Sequence, residues 1–283
     1  MAIDHSLLSP AEKLLWQYGV RDPSHIDLEA IANYRGAEVV YRRLCGCAAR
    51  LVAAGDKAVI SVGLGSYPGR QRFSLAHELA HWICDKDHGS FRCANEDIGP
   101  QNAEAKNVEA YANGYASQLI LPSFLVDPWL NGKRINLDTA KALGSDFDAS
   151  LTASAIKIAR RAQAQTCVVC HNQTKRAWSQ KNVAFPHDFY VKQELHQDTA
   201  AFSMAFGTGV GLSRPVKETA DRWLQGPEAY RRTVETQSLK LPDDTVLTMI
   251  TLLPSWTVLS FPSPPCAGPP AAHHIDDMPQ LFS

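Results

Sequence analysis

The chain is expected to fold as an α+β protein, and three observations carry that expectation. Two stretches, residues 9–35 and 122–161, place apolar side chains at helical spacing. Between them, residues 37–63 hold short runs rich in Val, Ile and Ala around a Gly55-Asp56 turn, the pattern of a small sheet. Beyond residue 164 the composition shifts to β-branched and aromatic runs, 166–183 and 245–261, which read as a separate α+β unit. With 283 residues, 45% hydrophobic and 20% charged, the chain can bury a large core and belongs to the ordinary soluble globular class. A net charge of −1 gives no overall basic field for nucleic acid. Seven cysteines, an odd number, do not suggest a disulfide framework. The opening MAIDHSLLSPAEKLL lacks a signal-peptide pattern, and no apolar run is long enough to span a membrane. The expected address is cytoplasmic.

Ser9-Pro10 starts the first helix, whose apolar face is Leu14, Leu15 and Tyr18. Asp22-Pro23-Ser24 breaks it, and a second helix over 26–36 ends at Gly36. Strands are expected over 37–44, 49–54 and 57–63. Then comes Arg72–Cys84, RFSLAHELAHWIC, with the HExxH pattern at His77, Glu78 and His81. Positions i and i+4 share one helix face, so both imidazoles can meet a single tetrahedral metal ion. Glu78 falls beside them as a general base for the attacking water. The apolar flanks Phe73, Leu75, Leu79, Trp82 and Ile83 argue for a buried helix, against two histidines facing solvent.

A catalytic zinc usually takes three protein ligands. The extension that would add a third His on the same segment is absent, since Cys84 and Asp87 stand there. Glu109, in NVEAYANGYASQLILP (107–122), is the expected third ligand, on a helix whose small residues permit close packing. Glu104 competes but lies further from that apolar stripe. The joining segment 84–106 is polar. Within it Cys93 is either an inhibitory fourth ligand, its thiolate swinging into the open position, or a free cysteine. His88 is a further option.

Residues 122–163 form a helical subdomain with a helix-turn-helix silhouette: a helix, a turn at Gly144, and a second helix over 149–162. Lys157, Arg160 and Arg161 near its end suit either DNA contact or a packed subdomain with cations at a helix C-terminus, and the second is preferred. Residues 164–261 form the C-terminal unit, with a helix expected around Trp223, over 216–224. Cys167, Cys170 and His171 spell CxxCH, but Val168 and Val169 make the run a buried strand, not a haem or second zinc site. Cys45-Gly46-Cys47 reads as a turn. Lys175, Arg176 and Trp178 suit stacking with single-stranded nucleic acid or, equally, an exposed hairpin. The Pro-rich tail, 262–283, is expected to be disordered.

RFSLAHELAH followed by VEAYANGYASQLILP resembles the ImmA/IrrE family of metallopeptidases, which show RFTLAHELGH and then E-x-x-A-N-x-F-A-x-x-L-L-M-P. The departures are Ala80 for Gly, Tyr115 for Phe and Ile120-Leu121 for Leu-Met; Asp85 stands where many members carry a His. The resemblance implies a zincin-like peptidase domain over 1–121, with Zn2+ on His77, His81 and Glu109 and Glu78 as general base. It also implies that a strand offers its edge to the substrate backbone, and 57–63 is the candidate. Longer members carry a GAF-like sensor domain, and TCVVCHNQTKRAWS resembles its first hairpin. The implied activity is cleavage of an Xre-type helix-turn-helix repressor, releasing DNA-damage, stress or phage-defence genes, with single-stranded DNA a candidate activator. The competing class is a non-proteolytic, metal-bearing regulator that binds DNA or a repressor.

Overall fold

The computed structural model describes residues 4–85, 103–207 and 210–254. Helix α1 (Pro10–Gln17) starts at a capping box: the Ser9 hydroxyl accepts the Glu12 N–H, and Glu12 accepts the Ser9 N–H at 2.9 Å. Helix α2 (Leu28–Tyr34) is capped by Asp27, which accepts the Ala30 N–H. Three strands follow, β1 (Ala37–Arg42), β2 (Ala49–Ala54) and β3 (Lys57–Gly63), in the spatial order β1-β3-β2. Strands β2 and β3 form an antiparallel hairpin with Gly55 at φ 60°, and β1 runs parallel to β3. This corrects the expected edge: β3 is central, because its Ala58, Ile60, Ser61 and Val62 are all buried. Among the described residues, the unpaired edges belong to β1 and β2.

Helix α3 (Pro68–Asp85) crosses this sheet, and α4 (Ala103–Ile120) packs against α3. Ala76 and Ala80 on α3 and Ala112 and Ala116 on α4 are at most 3% exposed, so the two backbones approach closely. The Trp82 indole N–H donates to the Arg35 carbonyl at 2.8 Å, tying α3 to the end of α2.

Three further helices, α5 (Ser123–Leu130), α6 (Leu137–Asp146) and α7 (Leu151–Arg161), continue the same apolar core through Leu137, Leu143 and Ile158. Gly144 lies inside α6, not in the turn, which falls over 147–150 with Asp148 at φ 50°. Its lack of a side chain serves a close approach: a Cβ there would sit 2.9 Å from the Ala149 carbonyl oxygen. Of the basic residues of α7, Lys157 turns inward, while Arg160 and Arg161 are exposed and paired within the fold. Lys157 is 6% exposed and donates to Gln118 and Ser123, Arg161 grips Asp127 with two hydrogen bonds of 2.6 Å, and Arg160 donates to Gln180. Each of the three thus has a partner within the fold, which suits the packed-subdomain reading of α7.

The C-terminal unit is a five-stranded antiparallel sheet, ordered β5-β4-β10-β9-β7. Its strands are β4 (Gln165–His171), β5 (Arg176–Lys181), β7 (Val216–Thr219), β9 (Thr233–Lys240) and β10 (Val246–Leu252). A small pair, β6 (Tyr190–Val191) with β8 (Leu224–Gln225), and helix α8 (Ala200–Phe206) complete it. The segment around Trp223 is therefore not the expected helix: Glu218, buried at 6%, accepts the Trp223 indole N–H and the Thr236 hydroxyl and fixes it as strand and tight turn. Alternation splits the sheet residues between two cores. Val168, Cys170, Leu247 and Met249 join the core of α1–α7, while Cys167, Val169, Val246 and Ile250 pack with α8. Cys167 and Cys170 thus point to opposite faces, which excludes a shared ion. Arg176 donates to the Val191 carbonyl and Trp178 packs against the larger core, so neither is free to stack on a base. Among the described residues, no helix is long and apolar enough to cross a membrane.

Lys157 yields a pH test. Burial pushes its pKa down from 10.5 to about 8, with Glu12 opposing part of that shift. Burial also works against the Glu12 carboxylate, but the Ser9 and Ser123 N–H groups and Lys157 outweigh it and hold its pKa low. Between pH 8 and 10.5 the unfolded chain keeps the Lys157 proton while the folded chain has shed it, so stability rises with pH. Relative to Lys157→Met, the wild type should gain on the order of 2–3 kcal/mol across that window, measured by urea unfolding at several pH values.

Candidate metal centre

The metal-binding face is built on α3 and closed by α4. His77 and His81, one turn apart, bring their Nε2 atoms to 3.1 Å. Glu109 enters from α4, its carboxylate 3.2 Å from His77 Nε2 and 3.4 Å from His81 Nε2. Donors bound about 2.0–2.1 Å from a tetrahedral ion lie roughly 3.3–3.4 Å apart, so the three contacts fit the edges of one coordination sphere. The donor set fits as well. His77 Nδ1 lies 3.1 Å from the side-chain amide oxygen, Oδ1, of Asn113. With its proton donated there, the His77 Nε2 lone pair faces the other ligands. Two imidazole nitrogens and a carboxylate this close are compatible with a cation between them. Among the described residues, this is the group of His, Cys, Asp and Glu side chains that could hold a metal ion.

The three differ in burial. The His81 side chain is 8% exposed, His77 19% and Glu109 55%, so the centre opens to solvent on its α4 side. Glu78, 6% exposed, lies on the wall of a cleft of about 600 Å³ that also includes His77 and Asn113. One wall is the start of β2, Ala48 and Ala49; the floor includes Phe73; the far wall is α7, with Ser150, Thr152 and Ile156. The edge strand beside the centre is thus β2, in place of the expected 57–63.

The structure brings together His77, His81 and Glu109 and places Glu78 on the adjoining cleft. Cys93 and His88, and the tail beyond 254, lie outside the described residues. Two contributors escaped the sequence reading. Asn113 follows Glu109 by one helical turn, a spacing that could have exposed it. The α7 wall had no local signal, since it reaches the cleft through tertiary packing.

Removing the Asn113 acceptor should loosen the ligand it orients. Asn113→Leu is expected to weaken metal binding about tenfold and Asn113→Asp to retain it, whereas Glu109→Ala removes a donor and costs more. Competition with a chromogenic chelator would measure all three.

No curated protein sequence matches the chain. A solved structure described as a Mycobacterium tuberculosis transcriptional regulator shares the fold, with a TM-score of 0.60 at 16% identity over 88% of this chain and 77% of that one. Residues 33–172 match the family model Peptidase_M78, described as the IrrE N-terminal-like domain. That segment runs from the end of α2 to the first strand of the C-terminal sheet and contains His77, Glu78, His81, Glu109 and Asn113; the match supports placing it in the ImmA/IrrE family of metallopeptidases.

Proposed function

We propose that the chain is a zinc-dependent endopeptidase acting on a helix-turn-helix repressor of the Xre type. The observation that carries this reading is the His77, His81 and Glu109 group opening beside Glu78 on a peptide-sized cleft. Bound there, zinc would act as a Lewis acid on the scissile carbonyl. The chain's own residues do the rest. His77, His81 and Glu109 hold the ion, and Asn113 fixes the His77 ring. Glu78 takes the proton of the attacking water and returns it to the leaving amine. The free edge of β2 hydrogen-bonds the substrate backbone as an added strand. A cleft lined by the start of β2 and by α7 can take an extended segment, which favours selective cleavage of one partner over bulk digestion.

Regulation belongs to the C-terminal unit, proposed as a GAF-like sensor that gates the peptidase during DNA damage or phage attack. Its single antiparallel sheet, with α8 on the face away from the peptidase core, supports that role. Single-stranded DNA is the proposed activator by resemblance to the family; of the hairpin residues, Lys175 is exposed while Arg176 and Trp178 are engaged in the fold. The second reading, a non-proteolytic regulator holding a metal, draws on the fold shared with a protein described as a transcriptional regulator.

Glu78→Gln separates the two. It removes the base while leaving the ligands, so repressor cleavage should fall at least 100-fold with metal content unchanged. Co-expression with an Xre-type repressor encoded nearby, followed by immunoblotting before and after DNA damage, reads the outcome. An intact repressor together with induced target genes in both variants would establish the regulator instead.

A further inference from the structure

Arg70 stands apart from the other cations near the cleft. Its neighbour Arg72 donates to the Ile26 carbonyl at 2.8 Å and so serves the fold. The Arg70 side chain is exposed and makes no hydrogen bond, ion pair or ring contact with another described residue. It sits in the first turn of α3, where the helix dipole disfavours a cation, and no acidic residue offsets it there. The fold therefore gains nothing from this charge.

Its position is informative. Arg70 precedes His77 by seven residues, two turns along the same face of α3, which places it roughly 10 Å from the metal-binding end. It lines both the catalytic cleft and an adjoining cavity of about 500 Å³ bounded by Leu44, Gly46, Cys47 and Gly63. Among the described residues lining the two cavities, Arg70 is the only Lys or Arg and Glu78 the only carboxylate. An extended peptide advances about 3.3 Å per residue, so three residues cover the distance from the scissile bond to Arg70.

We infer that Arg70 is a specificity-determining residue that selects an acidic side chain about three residues from the scissile bond, on the side toward the α3 N-terminus. This rests on the peptidase reading and names its substrate class: an extended segment with Asp or Glu at that position. An exposed ion pair of this kind shifts a rate or an affinity by up to about fivefold.

The test uses the full-length, zinc-loaded chain and a randomised peptide library, with cleavage sites read by mass spectrometry. Wild type should enrich Asp and Glu about three residues to one side of the cut. Arg70→Glu should invert the preference to Lys and Arg, and Arg70→Gln should abolish it; melting temperatures near that of wild type would show that both variants fold. Cleavage without a charge preference, or with one that Arg70→Glu leaves unmoved, overturns the inference and leaves the peptidase reading standing. If no peptide is cut, the peptidase reading fails by itself. Fluorescence anisotropy with Glu78→Gln then decides on labelled decapeptides carrying Glu or Lys three residues from the centre. Equal binding overturns the acidic selection, and tighter binding of the Glu peptide that Arg70→Glu reverses supports it.

Discussion

Two imidazole nitrogens 3.1 Å apart, with a carboxylate within 3.4 Å of both, are the constraint on which the rest of this structure turns. Such a group is held only if the helices carrying it are fixed in register and distance. The alanines between α3 and α4 supply the distance, because larger side chains at Ala76, Ala80, Ala112 or Ala116 would push the helices apart. Register is supplied on the α3 side by the sheet beneath it and the Trp82 bond to Arg35. On the α4 side it comes from α1 and from the polar cluster at Gln118.

That cluster shows how distant segments are held around the centre. Glu12 accepts from Ser9 and Ser123, and Lys157 donates to Gln118 and Ser123, so α1, α4, α5 and α7 meet at one buried knot. Breaking a single partner of such a knot leaves an uncompensated buried group, which costs more than the intact pair contributes. A second tie links the C-terminal sheet to α6. Gln237, 3% exposed on β9, accepts the Leu137 N–H at 2.7 Å and donates to Asp138 at 2.8 Å. The core of α1–α7 and the sheet are therefore joined by satisfied polar contacts as well as by apolar packing.

What was legible in the sequence was local. The i, i+4 spacing of His77 and His81 needs only helix geometry, and the small-residue stripe around Glu109 pointed to a closely packed partner helix. Strand order was hidden because it is decided by which face of β3 is covered from both sides, a property of the assembled sheet. Gly144 was misread for a similar reason: a glycine marks a turn or a close approach, and only the Ala149 carbonyl 2.9 Å from its would-be Cβ tells which. Lys157 looked like a helix-end cation because its hydrogen-bond and charge partners lie on α1, α4 and α5, far away in sequence. Glu218 fixed the Trp223 segment in the same nonlocal way.

Helix α7 joins these levels. Its first turns face the cleft beside His77 through Thr152, Ala153 and Ile156, while Ala155, Ile158 and Ala159 are buried in the core it shares with β4 and β10. At its end Arg160 reaches Gln180 on β5. The cleft end of α7 is tightly seated, since a Cβ on Gly69 of α3 would lie 3.0 Å from the Ser150 nitrogen. A shift of α7 toward α3 meets that backbone at once, and a shift away widens the cleft. For the C-terminal sheet to gate cleavage through this helix, its ligand must favour one seating of α7 over another by its own binding free energy. Close packing at Gly69 therefore limits how far the start of α7 can move toward α3.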